Sequence, residues 1–241
     1  MTENFATILD RLCTRPEGRE PFANTELARL IIRSGGEITD GYISHLRKGH
    51  RDNPTLQTVE DLAAALGVCP AVFVGGRRER LGPERPRRSF SGKLRHLFAA
   101  IHPPHRGPYT PEEAAATITA GGRFGSISSS YIRELLNPAP GTQPNPRLRH
   151  VLALADFFGL SDGHGPQASY FLDDRLAEVI DAELAGFIAL RDAGVVEFAA
   201  RLAQHASEWT PELRRQAVHA VTEAVETGET QWMFRPGGVS G

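Results

Sequence analysis

Cysteine is scarce in this sequence of 241 residues, and long apolar runs are missing. The two cysteines, Cys13 and Cys69, both stand among apolar neighbours, which is typical of reduced core thiols in a cytosolic protein. No stretch of about 18 apolar residues is present, so we expect no membrane-spanning helix. The N-terminal residues MTENFATILDRL lack the basic and then apolar segments of a secretion signal. We therefore expect a cytoplasmic protein without a membrane partner.

Motifs of catalysis and of metal binding are also missing. There is no GxSxG motif, no phosphate-binding loop and no HExxH motif. His102 and His105 have the spacing of metal ligands, but the prolines between them indicate a rigid turn, and no third ligand is evident. We predict that the chain is not an enzyme and that it needs no metal and no cofactor.

Charge is distributed unevenly along the chain, although the net charge is only −2. Residues 1–150 contain 21 Lys+Arg against 15 Asp+Glu, a balance of +6, whereas residues 151–241 contain 6 against 14, a balance of −8. The basic front indicates contact with a polyanion, and the acidic rear indicates a different role.

The front part contains an internal repeat, because the first 74 residues recur imperfectly between residues 90 and 172. Apolar residues have helical spacing almost throughout. Each unit has an amphipathic first helix, a second helix for which Asn24 or Thr110 is the predicted N-cap, a glycine-containing turn, a third helix, and a fourth helix that begins at Asn-Pro. The matching segments are FATILDRLC (5–13) with FSGKLRHLF (90–98), ITDGYISHLRKG (38–49) with ISSSYIRELLNP (127–138), and NPTLQTVEDLAAALGV (53–68) with NPRLRHVLALADFFGL (145–160).

This organisation predicts an all-α fold. A short apolar stretch closes each unit as a fifth helix, and the tight turn between the second and third helices is typical of a helix-turn-helix bundle. The predicted domains are a first helix-turn-helix domain (1–74), a linker (75–89), a second helix-turn-helix domain (90–172), a C-terminal helical dimerisation domain (173–228) and a flexible tail (229–241).

The linker 75–89 holds six arginines, two prolines and three glycines. Its composition fits a flexible, solvated connector. It also fits a basic arm that lies on phosphates or in a minor groove. The sequence leaves both interpretations open.

The third helix of the first unit, from about Thr39 to Lys48, is the candidate DNA reader. In a helix-turn-helix the second helix of the pair lies in the major groove, and its N-terminal side chains meet base edges. Ile43 and Leu46 have the spacing of buried positions, so their neighbours face outwards. Cations follow where the chain would cross the phosphate backbone. The predicted DNA-binding residues of this unit are Thr39, Asp40, Gly41, Tyr42, Ser44, His45, Arg47, Lys48, His50, Arg51 and Asn53.

The second unit departs from this pattern. Glu134 follows the polar start of its third helix, and the loop APGTQPNP (139–146) carries no charge. This unit is either a weaker second reader or a packing module. If it reads DNA, the predicted contacts are Ser128, Ser129, Ser130, Tyr131, Arg133, Arg147 and Arg149.

The acidic rear carries an apolar stripe wide enough to face another helix. The stripe either packs on the chain's own repeats or forms a homodimer with two-fold symmetry, which is the interpretation we favour. Its residues are Leu176, Val179, Ile180, Leu184, Phe187, Ile188, Val195, Phe198 and Leu202.

Each unit resembles the lambda-repressor-like (Cro/XRE) family of helix-turn-helix regulators. The second unit and the C-terminal region, over about residues 90–227, are more specifically similar to the EspR-like family of mycobacterial nucleoid-associated regulators. The resemblance implies a dimer that forms through C-terminal helices, binds many chromosomal sites and influences transcription. The segments that carry it are PPHRGPYTPEE (103–113), SSSYIRELL (128–136), ASYFLDD (168–174) and DAELAGFIALRDAGV (181–195).

The leading hypothesis is therefore a nucleoid-associated transcriptional regulator that docks its recognition helices in double-stranded DNA as a homodimer. An alternative is a protein-interaction adaptor or an antitoxin-like scaffold, in which one or both helix-turn-helix units no longer bind DNA. Glu134 and the uncharged loop of the second unit motivate this alternative. A third possibility is a repressor that senses a small molecule through a pocket in the acidic rear.

Overall fold

Helices make up the regular structure of the chain. The computed structural model describes residues 4–80, 88–103, 106–160 and 168–192, together with positions 194, 210, 212, 215 and 219. In these ranges the chain forms no strand beyond isolated bridges, and the predicted all-α class is confirmed. The elements are α1 (Phe5–Thr14), α2 (Asn24–Arg33), α3 (Asp40–Arg47), α4 (Leu56–Leu66), a 3-10 helix (Pro70–Val74), α5 (Phe90–Ala100), α6 (Pro111–Gly121), α7 (Ser129–Leu136), α8 (Leu148–Phe157), α9 (Ser169–Leu172) and α10 (Asp174–Asp192).

The chain divides into two compact units, Met1–Phe98 with Tyr109–Val179, and Ala99–Pro108 with Ile180–Gly241. The first repeat and most of the second belong to the first unit, whereas residues 99–108 of the second repeat belong to the second unit. The fifth element of the first repeat is the 3-10 helix, and that of the second repeat is α9, which has only four residues. The predicted tail 229–241 lies outside the described residues.

Side-chain caps begin the helices that carry the predicted readers. Thr39 and Ser128 stand at equivalent positions, and each hydroxyl oxygen accepts a hydrogen bond from the N–H three residues later, at 3.1 and 3.2 Å. Thr110 caps α6 in a capping box, as predicted. The prediction for Asn24 is wrong, because Ala23 is the N-cap residue of α2 and makes no side-chain hydrogen bond there.

A left-handed glycine ends α3. Gly49 has φ of 71°, and its N–H donates to the carbonyl of Leu46 at 3.1 Å. The chain therefore leaves the helix directly after Lys48, and His50 and Arg51 are exposed in the loop that follows.

The cores of the two repeats use equivalent residues. Phe5 packs on Phe73 with ring centroids 4.9 Å apart, and the equivalent pair, Phe90 and Phe171, has centroids 4.8 Å apart. Other equivalent pairs in which both side chains are buried are Leu9 and Leu94, Ile43 and Ile132, Leu46 and Leu135, and Leu62 and Leu154.

Both cysteines are buried free thiols. Burial raises the pKa of the Cys13 thiol to about 11, and the smaller, opposite effect of the nearby Arg47 charge does not offset it. Because a thiol with this pKa stays protonated at neutral pH, Cys13 acts as a small apolar core residue.

The closing elements of the two repeats pack on each other, the 3-10 helix against α9. The chain that leaves the first repeat passes close to α9, since a Cβ on Gly76 would lie 3.0 Å from the Cβ of Ser169. Two residues further, Arg78 accepts a backbone hydrogen bond from Cys69 at 2.8 Å and forms an ion pair with Glu17 at 3.0 Å. The described start of the predicted linker is therefore fixed against the bundles, while residues 81–87 lie outside the described residues.

A buried lysine stabilises the end of α9. The side chain of Lys93 is 2% exposed, and its ammonium forms an ion pair with Asp174 at 2.6 Å. The same ammonium donates hydrogen bonds to the carbonyls of Tyr170 and Phe171 at 3.1 and 3.2 Å. A cation at the C-terminal end of a helix satisfies carbonyls that have no helical partner.

Asp173 connects the two repeats to the start of α10. Its carboxylate accepts hydrogen bonds from both Nε and Nη2 of Arg77, the latter at 2.8 Å, and from the N–H groups of Arg175 and Leu176 at 3.0 and 3.3 Å. Burial favours the neutral acid, but these hydrogen bonds outweigh burial and hold the pKa of Asp173 below its ordinary value of 3.8.

We expect Asp173→Asn to lower the free energy of unfolding at pH 7 by about 2 kcal/mol, since the charged partner of Arg77 is lost. Because the folded protein holds the pKa of Asp173 below its unfolded value, the stabilisation is present above pH 3.8 and is lost as the pH falls further. The difference between wild type and variant should therefore shrink in acid. Urea unfolding at several pH values measures it.

Glu20→Gln is the matched control, because Glu20 is exposed and its carboxylate has no partner in the described part of the chain. A stability loss for Asp173→Asn no larger than that of the control would contradict the role given to Asp173.

Candidate nucleic-acid interface

The two faces of α3 have opposite character. Ile43 and Leu46 are fully buried and hold the helix on α1 and α2. Most of the predicted reader residues lie on the other face. Thr39, Asp40, Gly41 and His45 are exposed, and Tyr42 and Ser44 are half-buried. The polar start of α3 is thus accessible to a ligand.

Arg47 is held inside the bundle. Its Nη2 and Nε donate to the same carboxylate oxygen of Asp10 on α1 at 2.7 and 2.9 Å, and its Nη1 donates to the side-chain oxygen of Asn24 on α2 at 2.7 Å. The side chain of Arg47 is only 18% exposed. The phosphate contact predicted for Arg47 stays a prediction. In the structure, the side chain of Arg47 fixes the end of α3 to the two preceding helices.

Lys48 and Arg51 are accessible cations close in sequence to Arg47. Both are exposed, and neither side chain has a hydrogen bond or an ion pair among the residues that the structure describes. His50 lies between them in the sequence, and its Nδ1 is 3.4 Å from the Nδ1 of His45 on α3. Because these side chains surround the point where the chain leaves α3, they form one positive patch with adjacent polar rings.

A cleft of about 480 Å³ extends this patch towards α1. It is lined by the end of α3, by the polar face of α1 with Arg11, and by Arg15 directly after α1. These two arginines were missed in the sequence because α1 was interpreted only as a core helix. Their spacing of four residues places them on one face and was the available signal.

The outer face of α7 is not positive. Ser130 is exposed and Ser129 is half-buried, but Arg133 forms an ion pair with Glu112, and Glu134 is exposed. Ser128 is used as the cap of the helix. The surface of α7 therefore offers hydroxyl groups and a carboxylate, without the accessible cations of α3.

Tyr131 on α7 packs edge-on against His150 on α8, with ring centroids 5.2 Å apart. Burial and the neighbouring Arg147 charge lower the pKa of His150, and its buried Nδ1 has no partner in the described part of the chain. Burial, together with the charge of Glu134, raises the pKa of Tyr131. Both rings are therefore neutral at neutral pH and hold α7 on α8.

Three predicted DNA-binding residues lie where the repeats meet. Asn53 accepts a hydrogen bond from the backbone N–H of Arg149 at 2.9 Å, and the guanidinium of Arg149 binds Asp52 at 2.6 Å. The guanidinium of Arg147 donates to the carbonyl of Asn53 at 3.3 Å. The DNA contacts predicted for these three residues stay predictions. In the structure, the three residues form hydrogen bonds that join the repeats.

The predicted dimerisation stripe lies partly on α10. Val179 and Phe187 are 53% and 44% exposed. Leu190, which the predicted set omits, is 36% exposed and stands three residues after Phe187, so helical spacing was the signal that could have found it. Leu176, Ile180, Leu184 and Ile188 are half-buried, whereas Val195, Phe198 and Leu202 lie outside the described residues.

No helix in the described ranges combines the length and the apolar character that crossing a bilayer requires.

Known proteins of similar sequence include a nucleoid-associated protein. No model of a protein family matches the chain. The chain is similar to the nucleoid-associated protein EspR of Mycobacterium tuberculosis, in strains CDC 1551/Oshkosh and ATCC 25618/H37Rv. In each case 35% of residues are identical over 113 residues, which is 47% of this chain and 77% of the relative.

We expect Arg47→Met to lower the free energy of unfolding by about 1–2 kcal/mol, because it removes the charge-assisted hydrogen bonds between α3, α1 and α2. Denaturant unfolding checks this. Lys48→Met is the matched control, since it removes a cation one residue away that has no partner among the described residues, and it should change stability by less than about 0.5 kcal/mol. Equal losses of stability for the two substitutions would contradict the stabilising role given to the hydrogen bonds of Arg47.

Proposed function

Because the chain belongs to the family of the nucleoid-associated protein EspR, we propose that it is a nucleoid-associated, DNA-binding regulator of transcription. The observation that carries the proposal is the accessible positive patch of Lys48 and Arg51, with the polar ring of His50 beside it, at the end of the proposed reading helix. This role requires no catalysis, and we assign none.

In the proposed complex, the start of α3 enters the major groove. Asp40, Gly41 and Ser44 supply small or polar groups next to base edges; a carboxylate can accept from cytosine N4, and a serine can pair with several bases. Lys48 and Arg51 then meet the phosphates where the chain leaves the groove. Phosphate contacts provide register and much of the affinity. Arg47 supports this arrangement from within, because it fixes α3 on the bundle.

We further propose that the chain forms a homodimer through α10. The exposed Val179, Phe187 and Leu190 would otherwise leave a row of large apolar side chains in water. A two-fold interface would bury this row against its own copy. The negative charge of residues 151–241, six Lys+Arg against 14 Asp+Glu, would keep the dimer interface away from the phosphates.

The DNA-binding proposal predicts a steep loss of affinity with salt. For sheared genomic DNA from the source organism, log K should fall by about 0.9 per phosphate contact for each log unit of salt. Lys48→Ala and Arg51→Ala should each weaken binding to all sequences and each lower the slope by about 0.9. Fluorescence anisotropy over a salt series measures both quantities.

Arg175→Ala is the control, because Arg175 is an exposed arginine on α10, outside the proposed DNA-binding surface. It should leave the slope unchanged. A wild-type affinity that does not respond to salt would reject the proposal, and absence of DNA affinity together with a tightly bound protein partner would favour the adaptor alternative.

The dimer proposal predicts that Phe187→Asp converts the protein to a monomer, since the carboxylate would be desolvated at the interface. Sedimentation velocity measures the change in mass. Ile32→Asp is the matched control, because Ile32 on α2 is also a large exposed apolar side chain, at 57%, but lies off the stripe. A wild-type monomer, or an unchanged mass for Phe187→Asp, would argue against the α10 interface.

A further inference from the structure

The two repeats are joined at equivalent residues. Thr55 and Arg147, which occupy the same position in each repeat, form an antiparallel bridge with each other. On either side of this bridge the N–H of Leu56 donates to the carbonyl of Pro146, and the N–H of Leu148 donates to the carbonyl of Pro54, both at 2.8 Å. When a position pairs with its own equivalent in antiparallel direction, a local two-fold axis passes between the two residues.

The side chains next to the bridge follow the same symmetry. Asn145 accepts a hydrogen bond from the N–H of Gln57 at 2.9 Å, and Asn53 accepts one from the N–H of Arg149 at 2.9 Å. These two contacts are copies of each other under exchange of the repeats. Each asparagine thus caps the helix that begins in the other repeat, so that α4 and α8 start together at the junction.

The closing elements add a second contact between equivalents. The 3-10 helix of the first repeat packs on α9 of the second, and Phe73 and Phe171 stand at the same position in these two elements. The junction therefore includes two contacts between corresponding parts, which is the pattern of a symmetric dimer built into one chain.

We propose that one chain acts as a covalent pair of DNA readers, which binds a two-part site with unlike halves on one duplex. The inference rests on the proposed DNA binding. The axis that relates the repeats also relates α3 to α7, and paired reading helices of this kind contact half-sites about 34 Å apart along the DNA. One chain then supplies both readers, and the α10 interface would serve to bring two such pairs together.

The two half-sites differ because the two reading faces differ. The first presents Asp40, Gly41 and Ser44 next to accessible cations, whereas the second presents Ser129, Ser130 and Glu134. A carboxylate and hydroxyl groups select base edges, but they add no attraction to phosphate. The α3 half-site therefore supplies most of the affinity, and the α7 half-site adds discrimination at a fixed spacing.

The test is selection of bound sequences from a library of random duplexes about 40 bp long, which spans several helical turns. The full-length protein should enrich two unlike elements whose centres are about 10 bp apart. The Phe187→Asp variant should enrich the same two elements, because a single chain carries both readers.

Two matched variants assign each element to its helix. Gly41 and Ser130 are the second residues of α3 and α7, both are exposed, and a Cβ at Gly41 meets nothing within 4 Å. Glutamine pairs with adenine through two hydrogen bonds, so Gly41→Gln should enrich adenine in one element only, and Ser130→Gln in the other element only.

Three outcomes would overturn the inference: a single enriched element, two elements that both respond to Gly41→Gln, or no response to Ser130→Gln. If no sequence is enriched and salt has no effect on binding, the proposed DNA binding itself fails, which is a different result.

A junction variant checks the pairing directly. Asn145→Ala removes the hydrogen bond to α4 and should lower affinity for the two-element duplex by about 2- to 10-fold, because the second reader is less well positioned. Affinity for a duplex in which the α7 element is scrambled should not change. Gln143→Ala, in the same loop and exposed, is the control. An equal loss on both duplexes would contradict the role of the junction.

Discussion

The backbone pairing of Thr55 with Arg147 is the contact on which the arrangement of the helices depends. Two backbone hydrogen bonds of 2.8 Å accompany it, from the N–H of Leu56 to the carbonyl of Pro146 and from the N–H of Leu148 to the carbonyl of Pro54. In each repeat the accepting carbonyl belongs to the proline of an Asn-Pro dipeptide, and the asparagine before it is restricted to extended backbone. Since α4 and α8 begin at this point, the pairing also sets the direction in which each bundle is presented.

Arginine side chains make several of the other polar contacts between distant segments. A planar guanidinium can bind several acceptors at once, which suits contacts between elements distant in the sequence. Arg47 connects α3 to α1 and α2, Arg77 reaches Asp173, and Arg191 donates to the carbonyl of Ala100 at 2.8 Å. The two lysines have opposite roles, since Lys93 is buried and Lys48 is exposed. A count of positive residues therefore overstates the charge available to a ligand.

Local features of this chain were predicted well from its sequence. The predicted cap by Thr110 and the end of α3 at Gly49 depend on hydrogen bonds within three or four residues. The caps by Thr39 and Ser128 are equally local, although the sequence interpretation gave these two residues only as DNA contacts. The helices and the buried positions of α3 follow from the period of apolar residues. Asn24 was misjudged because its side chain binds Arg47, 23 residues away, instead of its own helix.

The all-α class, the positions of the helices and the polar start of α3 with cations after it can be derived from the sequence, because helix period, caps and glycine conformations are local properties. Which of these cations remain accessible, and how the repeats are joined, depends on packing between distant segments. Arg47, Asn53 and Arg149 look like surface residues in the sequence, yet their partners are 37, 96 and 97 residues away. The contact of Arg47 with Asp10 needs only the packing of the first bundle, whereas the contacts of Arg149 with Asn53 and Asp52 need both bundles in place.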